Sequence, residues 1–293
     1  MTDQSPNEEK PKHGETVSEF MHEIGDELVM AAGVPGEITY RTLYRFFDFI
    51  GDSSRLLFQT LCRMLRGALP VRETIKQMEL VGVNSIPIVL VTVAFSGMVL
   101  ALYTAQQMVR FGVGSYVGGG VGLSVTRELA PVLTAVVVAA RSGSAMAAEI
   151  GSMKITEQID ALRALAVSPV EYLVAPRFVA SVVMLPMLTV FADIVGIAGA
   201  YFVAVVNGVP SGTFISSVQN MVAPRDVIMG LIKTVFFGGV LAIVGCQQGL
   251  RTEGGATGVG RSTTTSVVIS IVIIYILNFF LAYAMFGGRT ALT

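Results

Sequence analysis

Long apolar runs without any charged residue alternate with short charged segments along this chain. Four intervals contain no Asp, Glu, Lys or Arg, and they lie between Glu79 and Arg110, between Asp193 and Arg225, between Lys233 and Arg251, and between Arg261 and Arg289. A helix needs about 20 residues to cross about 30 Å of hydrocarbon, and only the interval after Lys233 is slightly shorter than that. The pattern therefore predicts several membrane-spanning helices.

Five such spans account for the apolar sequence. We place them near residues 83–107, 118–140, 172–206, 227–248 and 264–286. Composition supports this placement, because 53% of the residues are hydrophobic and 14% are charged. A soluble domain has about 25% charged residues. The predicted fold class is an all-α polytopic membrane protein.

The residues before the first span divide into two parts. Residues 1–39 begin with a polar tail that lacks the apolar core of a signal peptide, and a short amphipathic element follows at 18–30. Residues 40–67 mix aromatic residues and leucines with five arginines. This mixture predicts a helix that lies in the membrane interface with its arginines reaching the headgroups. A soluble amphipathic helix packed on a partner protein is the alternative.

Positive charge is distributed unevenly between the two sides of the predicted spans. Residues 1–84 and the connections at 141–177 and 249–262 together hold fifteen lysines and arginines, whereas the opposite side holds three. Short loops rich in lysine and arginine stay in the cytoplasm. The N-terminus is therefore predicted to be cytoplasmic and the C-terminus to lie outside.

The segment GATGVGRS at residues 255–262 differs from a nucleotide-binding P-loop only in Arg261, which stands where that motif has lysine. A P-loop follows a strand and opens a helix in a soluble α/β domain, whereas this segment joins two predicted spans. We therefore predict a tight cytoplasmic turn, after which the hydroxyl side chains of residues 262–265 cap the last helix. We do not expect the chain itself to bind nucleotide.

The segment RELAP at residues 127–131 places two charges inside the second predicted span. Such charges are costly, so Arg127 and Glu128 are expected to face protein or a polar cavity. Adjacent helical residues point about 100° apart, so each should have its own partner, and Lys233 and Asp193 are available in other spans. Two interpretations remain open. The charges form salt bridges that lock helices together, or they line a site where the arginine's fork of donors binds a substrate headgroup.

The outer half of the first span carries a group of large side chains. Leu100, Tyr103, Gln107, Met108 and Phe111 come close to one side of the predicted helix. Methionine and aromatic side chains adapt to flexible ligands, which favours a ligand-binding wall. Ordinary helix packing is the alternative interpretation.

The connection between the second and third spans contains a short amphipathic helix. Ile155, Ile159, Leu162 and Leu165 share one stripe, whereas the charged residues lie elsewhere. This arrangement predicts docking into the groove of a partner protein. A helix lying on the bilayer would favour lysine and arginine over this mixed, partly acidic set.

Several segments together resemble the MlaE (YrbE) family, whose members are permease subunits of ABC transporters that move lipids to or from the cell envelope. The segments are SGMVLAL, RELAPVLTAVVVAARSGSAMAAEIGSMKITEQIDALRALAVSPVEYLVAPR, GLIKTVFFG and GATGVGRSTTTSVV, and the resemblance runs from about residue 40 to residue 287. It implies a non-catalytic permease homodimer in the inner (plasma) membrane. Its expected partners are two ATPase chains on the cytoplasmic side, an MCE-type ring on the outer side, and phospholipid.

The resemblance also implies two sites and no cofactor in this chain. The ATPase chains would bind ATP and magnesium, and no metal or nucleic acid is expected here. The outer part of the first span and the RE of RELAP resemble the wall of the family's lipid pocket, which gives as substrate-binding residues Leu100, Tyr103, Gln107, Met108, Phe111, Arg127 and Glu128. The connection at 149–166 resembles the family's coupling helix, which gives as ATPase-coupling residues Glu149, Lys154, Glu157, Gln158, Asp160, Leu162 and Arg163. Gln107 departs from the family, because an apolar residue would be expected there.

Two other classes of function stay open from the sequence. A stand-alone secondary transporter or channel would use Arg127, Glu128 and Lys233 as an ion relay. An inverted repeat would support that class, but five spans do not divide evenly. A purely structural anchor for the outer ring fits the topology, yet it leaves the intramembrane charges without a role.

Overall fold

The structure is a computed structural model, and it describes residues 35–65 and 70–286. Within these two ranges the chain is helical and contains no β-strand. The α-helices, in chain order, are α1 (Pro35–Leu65), α2 (Val71–Val81), α3 (Ile86–Arg110), α4 (Val117–Ser124), α5 (Ala130–Val138), α6 (Ser144–Ile155), α7 (Gln158–Ala164), α8 (Ala175–Val206), α9 (Ser211–Met221), α10 (Pro224–Leu250) and α11 (Gly255–Phe286). The chain divides into two compact units, Met1–Asp52 and Ser53–Thr293, with the boundary inside α1.

Five helical segments are long and apolar enough to cross a membrane, which confirms the predicted fold class. They are the first span (Val71–Arg110), the second span (Gly114–Ile155), the third span (Val170–Val206), the fourth span (Pro224–Leu250) and the fifth span (Gly255–Phe286). We call the end of the spans that carries the connection at 156–169 the inner end and the opposite end the outer end, after the orientation that the charge count predicts. The first two spans extend furthest beyond their predicted bounds, at the inner end.

Small residues allow the spans to pack closely. Gly97 of the first span faces Gly196 of the third so tightly that a Cβ atom on Gly97 would collide with the Gly196 carbonyl group. Gly230 of the fourth span lies equally close to the Thr126 carbonyl oxygen of the second. Close approach of this kind supplies van der Waals contact where lipid leaves no hydrophobic driving force between helices.

Two clusters of buried apolar side chains stabilise the bundle. The larger extends through the spans, from Val81 to Ile274. The smaller, which we call the inner cluster, consists of Leu56, Ile150, Ile159, Leu173, Val174, Phe178, Ala242, Ile243 and Cys246. The inner cluster joins the C-terminal half of α1 and the short helix α7 to the inner ends of the second, third and fourth spans.

The structure differs from the sequence-based boundaries in several places. Most of the segment 40–67 is helical and belongs to α1, Pro35–Leu65, and its place in the membrane interface stays a prediction. The predicted element at 18–30 lies outside the described residues. The glycine-rich segment 255–262 is not a turn, because it forms the first two turns of α11. The chain instead reverses at Gly254 and Gly255, whose positive φ angles of 83° and 68° are accessible to glycine at no steric cost.

Candidate functional site

A π-helix in the second span carries the two intramembrane charges. It covers Val125–Leu129 and is followed by Ala130 and Pro131. Because Pro131 has no N–H group, it makes no hydrogen bond to the carbonyl group of Arg127, four residues earlier. Lys233 of the fourth span donates to that carbonyl oxygen instead, from Nζ at 3.0 Å. Pro131 and the π-helix thus leave a backbone carbonyl group without its helical donor inside the membrane, and Lys233 donates to it.

Arg127 is anchored by Asp226 at the outer end of the fourth span. Its Nε and Nη2 atoms both donate to Asp226 Oδ1, at 3.0 and 2.7 Å. The other oxygen, Oδ2, accepts the backbone N–H of Ala223 at 3.0 Å, so the same carboxylate also caps α10. The Asp226 side chain is 7% exposed, whereas that of Arg127 is 36% exposed. The arginine is therefore held from one side and open on another.

Glu128 belongs to a second set of contacts, with Lys233 and Asn278. Lys233 Nζ donates to Glu128 Oε1 at 2.7 Å and to Asn278 Oδ1 at 3.2 Å. Asn278 Nδ2 donates to Glu128 Oε2 at 2.8 Å. The Lys233 side chain is fully buried, but that of Glu128 is 44% exposed. The Phe286 ring centroid lies 4.6 Å from Arg127 Cζ and 5.5 Å from Lys233 Nζ, within reach of cation–π attraction.

These residues form the outer polar cluster, defined as Arg127, Glu128, Asp226, Lys233 and Asn278. Sequence reasoning proposed Lys233 and Asp193 as partners and missed Asp226 and Asn278. Lys233 does pair with Glu128, but Asp193 is buried without a hydrogen bond to any described residue. Asp226 was missed because it stands beside the end of an uncharged interval. Pro131 was a further signal for Lys233, because its position predicts a free carbonyl group at Arg127.

The first-span residues differ from the outer polar cluster in exposure and in polarity. Tyr103, Gln107 and Phe111 are exposed, whereas Leu100 and Met108 are half-buried against the larger apolar cluster. Within the described ranges, no hydrogen bond or ion pair joins Arg127 or Glu128 to the first-span residues. The predicted pocket wall thus has a polar part in the outer polar cluster and a mostly apolar part on the first span.

The predicted coupling helix is divided into two helices. Residues up to Ile155 continue α6, and α7 begins at Gln158 after Glu157, which has a left-handed φ of 59°. Ile159 is fully buried in the inner cluster, and Leu162 packs against it. The chain itself thus covers Ile159 and Leu162 of the predicted stripe, whereas Leu165 is 74% exposed. The exposed polar side chains of this connection are Glu157, Gln158, Asp160 and Arg163, and beside them Leu165 is an exposed apolar residue.

Two ion pairs flank this connection. Arg177, which is almost fully buried, binds Glu149 Oε2 through Nη2 at 2.6 Å and the Leu173 carbonyl oxygen through Nη1 at 2.7 Å. Arg63 binds Glu171 at 3.0 Å. Glu149 is thereby engaged inside the chain, while Lys154 is half-buried and has no ion pair among the described residues. The pairs tie α6 to the third span and α1 to the start of that span.

Comparison with known proteins gives a consistent result. The family described as Permease MlaE matches residues 74–284. The chain belongs to the MlaE permease family. A probable ABC transporter permease protein of Synechocystis is 47% identical over 231 residues, covering 78% of this chain and 88% of the relative.

Two further relatives agree with this MlaE-family assignment. A probable ABC transporter permease protein of Rickettsia felis is 38% identical over 258 residues, covering 88% of this chain and 99% of the relative. The chloroplastic protein trigalactosyldiacylglycerol 1 of Arabidopsis thaliana is 38% identical over 231 residues, covering 78% of this chain and 66% of the relative. Membership makes the chain an ABC transporter permease subunit, which is a non-catalytic class of protein.

The near-P-loop segment of this MlaE-family permease has a structural role in the fifth span. Its hydroxyl side chains bond to nearby atoms and do not form a phosphate-binding loop. Thr257 and Thr263 donate to the carbonyl oxygens of Gly254 and Gly260, at 3.0 and 2.6 Å. Thr252 donates to Ser262 at 2.9 Å, which ties the start of α11 to the end of the fourth span. The hydroxyls thus satisfy carbonyl groups, whereas the sequence had predicted that they cap N–H groups.

Proposed function

We propose that this permease subunit moves phospholipid between the inner membrane and an MCE-type partner on the outer side. The observation that carries the proposal is the unequal exposure within the outer polar cluster. Asp226 and Lys233 are buried, but their partners Arg127 and Glu128 keep 36% and 44% of their side-chain surface open. The name of the Arabidopsis relative contains that of a glycerolipid, which supports a lipid substrate.

The chemistry of the cluster suits a phospholipid headgroup. A guanidinium presents a planar fork of donors that matches phosphate oxygens, and Arg127 is already oriented by Asp226. Glu128 is held by Lys233 and Asn278 and offers a carboxylate to a headgroup amine. The acyl chains would lie along the stripe at Leu100, a surface that is mostly apolar and ends at Phe111. Gln107 is a polar residue within this apolar stripe, so it would influence which lipids bind.

A continuous apolar path explains why such a permease needs partners. Moving one methylene group from an apolar environment to water costs about 0.8 kcal/mol, so a diacyl lipid with about thirty methylene groups would face about 24 kcal/mol. A cavity that opens directly into the tunnel of an MCE-type ring would avoid most of that cost. Lipid transport by this route involves no bond chemistry in this chain.

A second copy of this chain would complete the cavity. The fifth span is largely unburied, with only Ser266, Ser270 and Ile274 covered inside the chain. Its open side carries large apolar residues, including Phe279 and Phe280. Such a side suits either lipid or a second permease. In the proposed homodimer two outer polar clusters and two first-span stripes would together enclose one lipid-binding space.

Two ATPase subunits at the inner end would drive the transport cycle. They would bind ATP and magnesium, and the exposed polar residues of the α7 connection would receive their movement. The buried contact of Ile159 with the inner cluster would pass that movement to the second, third and fourth spans. The stand-alone transporter or channel is not retained, because the family consists of ABC permeases and because Arg127, Glu128 and Lys233 are all paired.

Cysteine labelling tests the proposed orientation. Ser152 and Ser211 are both exposed, at the inner and outer ends respectively. In a background carrying Cys62→Ser, which removes the half-buried native thiol, Ser152→Cys should react only with reagent supplied from the cytoplasm. Ser211→Cys should react only from outside. Labelling of both positions from the same side would contradict an odd number of crossings.

Charge reversal at Glu157 tests the proposed coupling surface. Glu157→Lys should weaken ATPase association, or ATPase stimulation by the permease, while the permease stays folded, because the side chain is exposed. The matched control is Glu79→Lys, which makes the same change at an exposed inner-end position outside the connection. ATPase binding would be measured by co-purification, and activity by phosphate release. An equal loss of ATPase binding or activity in both variants would contradict a docking site at this connection.

Purification from native membranes tests the whole proposal. A tagged full-length chain should bring down an ATPase, a protein with an MCE domain, and phospholipid. Mass spectrometry identifies all three in one sample. Recovery of a lone oligomer without an ATPase or an MCE protein would contradict the proposed assembly.

A further inference from the structure

A small cavity with both polar and apolar walls lies at the inner end, away from the outer polar cluster. It has a volume of about 160 Å³ and lies between α2, α6 and the π-helix Ala139–Gly143 of the second span. Four polar side chains line it, Gln77, Arg141, Ser142 and Glu149, and the rest of its wall is apolar. Nothing in the proposed transport route uses this cavity.

Gln77 offers the cavity a side-chain amide that can bind a ligand. The residue is 7% exposed, yet its side-chain amide makes no hydrogen bond to any residue in the described ranges. The amide atoms are not among the fully buried unpaired atoms of the described residues, so the amide is open to the cavity and free to bind. Gln77 lines the cavity, so a group that is not part of the chain would be its natural partner.

Arg141 and Glu149 give the cavity one charge of each sign. Arg141 uses Nη1 to hold the Leu80 carbonyl oxygen at 2.9 Å and Ser85 Oγ at 3.1 Å. Its Nε and Nη2 atoms have no partner among the described residues, so half of the guanidinium fork is free. Glu149 uses Oε2 for Arg177 and keeps 52% of its side chain exposed. A ligand with both an anionic and a cationic group would satisfy both ends.

The position of the cavity selects a lipid headgroup as that ligand. Leu80 begins the uncharged interval of the first span, and Arg141 is the first charge that follows Glu128 in the second. Both residues therefore mark the level at which hydrocarbon gives way to headgroups. The amphipathic helix α2 also exposes apolar Val71 and Ile75 beside its charges, as helices in the membrane interface do.

The geometry points to a binding site for the headgroup of phosphatidylethanolamine. The phosphate would bind Arg141 and the Gln77 amide, and the ammonium group would bind Glu149. A water molecule occupies about 30 Å³, so a cavity of about 160 Å³ accepts a compact headgroup but not an acyl chain. The inference goes beyond the proposed function, because this site lies at the opposite membrane surface from the transport pocket.

Photo-crosslinking tests the site in the full-length chain. A photo-reactive residue replaces Ala145, an exposed part of the cavity wall, and the protein is embedded in nanodiscs of phosphatidylethanolamine. Mass spectrometry should detect a phosphatidylethanolamine adduct. Adding Gln77→Leu should lower its yield about tenfold, the size expected for loss of a hydrogen bond to a charged group. Gln77 bonds nothing within the described chain, so a structural role predicts no change in yield, and that result would overturn the site.

Three controls separate the possible outcomes. A photo-reactive residue in place of Tyr103 should capture lipid equally with and without Gln77→Leu; loss at both positions would mean general damage and would overturn the site. In nanodiscs of phosphatidylglycerol, which has no amine, the yield at position 145 should be several-fold lower, and Glu149→Gln should remove that difference. Equal capture of both lipids by the unsubstituted chain would overturn the assignment to phosphatidylethanolamine. Suppression of the adduct by inorganic phosphate alone would show a free-phosphate site and would also overturn it.

Discussion

Lys233→Met is expected to destabilise this permease more than any other single substitution in the outer polar cluster. The fully buried ammonium group donates to Glu128, to Asn278 and to the Arg127 carbonyl oxygen. Methionine preserves the volume but leaves all three acceptors without their donor. Removing one member of a buried ion pair costs about 3–5 kcal/mol, and the partial exposure of Glu128 favours the lower end of that range. Thermal unfolding in detergent should show a clear fall in the transition temperature.

A double substitution separates lost pairing from poor packing. Glu128→Gln in the Lys233→Met background removes the uncompensated carboxylate, so it should recover a substantial part of the lost stability. Lys154→Met is the matched control, since this half-buried lysine has no ion pair among the described residues. Equal destabilisation by Lys154→Met, or no recovery in the double variant, would contradict the role assigned to Lys233.

Arg127→Ala is expected to deplete bound lipid without dismantling the permease. The side chain is 36% exposed, so its ion pair with Asp226 is partly screened and contributes less stability than the contacts of Lys233. A hydrogen bond to a charged group is worth about 1.5–3 kcal/mol, so the phospholipid that co-purifies should fall about tenfold or more. Arg127→Lys should recover only part of the lipid, because lysine keeps the charge and loses the fork of donors.

Asp226→Asn distinguishes lipid binding from helix locking. Asp226 is nearly buried, so it orients Arg127 and does not face the open side of the cluster. If the arginine serves the substrate, Asp226→Asn should retain more lipid than Arg127→Ala. If the ion pair serves only to lock the second span to the fourth, the two variants should lose stability and lipid equally. Arg225→Ala, at an exposed position one residue away, controls for general loss of positive charge at the outer end.

The architecture could be predicted from the sequence because charge is expensive in hydrocarbon. Uncharged intervals located the spans. The orientation inferred from the clustering of lysine and arginine stays a prediction. Helix ends were less accurate, since α2 and α6 extend the first two spans with residues polar enough to leave the hydrocarbon. The glycine-rich segment at 255–262 was wrongly taken for a turn. Its tertiary setting lets α11 begin at Gly255, and two positive φ angles suffice to reverse the chain.

The candidate site was only partly predictable, since its geometry depends on long-range partners. Arg127 and Glu128 stood out as intramembrane charges, but their contacts come from residues about a hundred or more positions away. The π-helices were missed as well. Two of those in the described ranges, Val125–Leu129 and Val170–Val174, end directly before an Ala-Pro pair. In each case a basic side chain bonds to a carbonyl group of the π-helix.

The contact of Lys233 with the Arg127 carbonyl group suggests a rule for reading such sequences. A proline within a span frees the carbonyl group four residues earlier, and that group requires a donor when water is absent. Lys233 supplies that donor for the Arg127 carbonyl group, whereas Arg177 bonds to Leu173, which is three residues before Pro176 and not four. When a sequence has a basic residue in another span, the first partner to consider for it is the carbonyl group four residues before such a proline.

The most direct measurement of the central claim is lipid capture by a photo-reactive residue in place of Tyr103, in the assembled complex from native membranes. Tyr103 is exposed on the first-span stripe, whereas Val91 is an exposed position on another part of the same helix. We expect a phospholipid adduct at position 103 that falls about tenfold with Arg127→Ala, in line with the loss of a charged hydrogen bond. Capture at position 91 should not change. Absence of a phospholipid adduct at position 103, or capture there that is indifferent to Arg127, would contradict the proposed transport pocket.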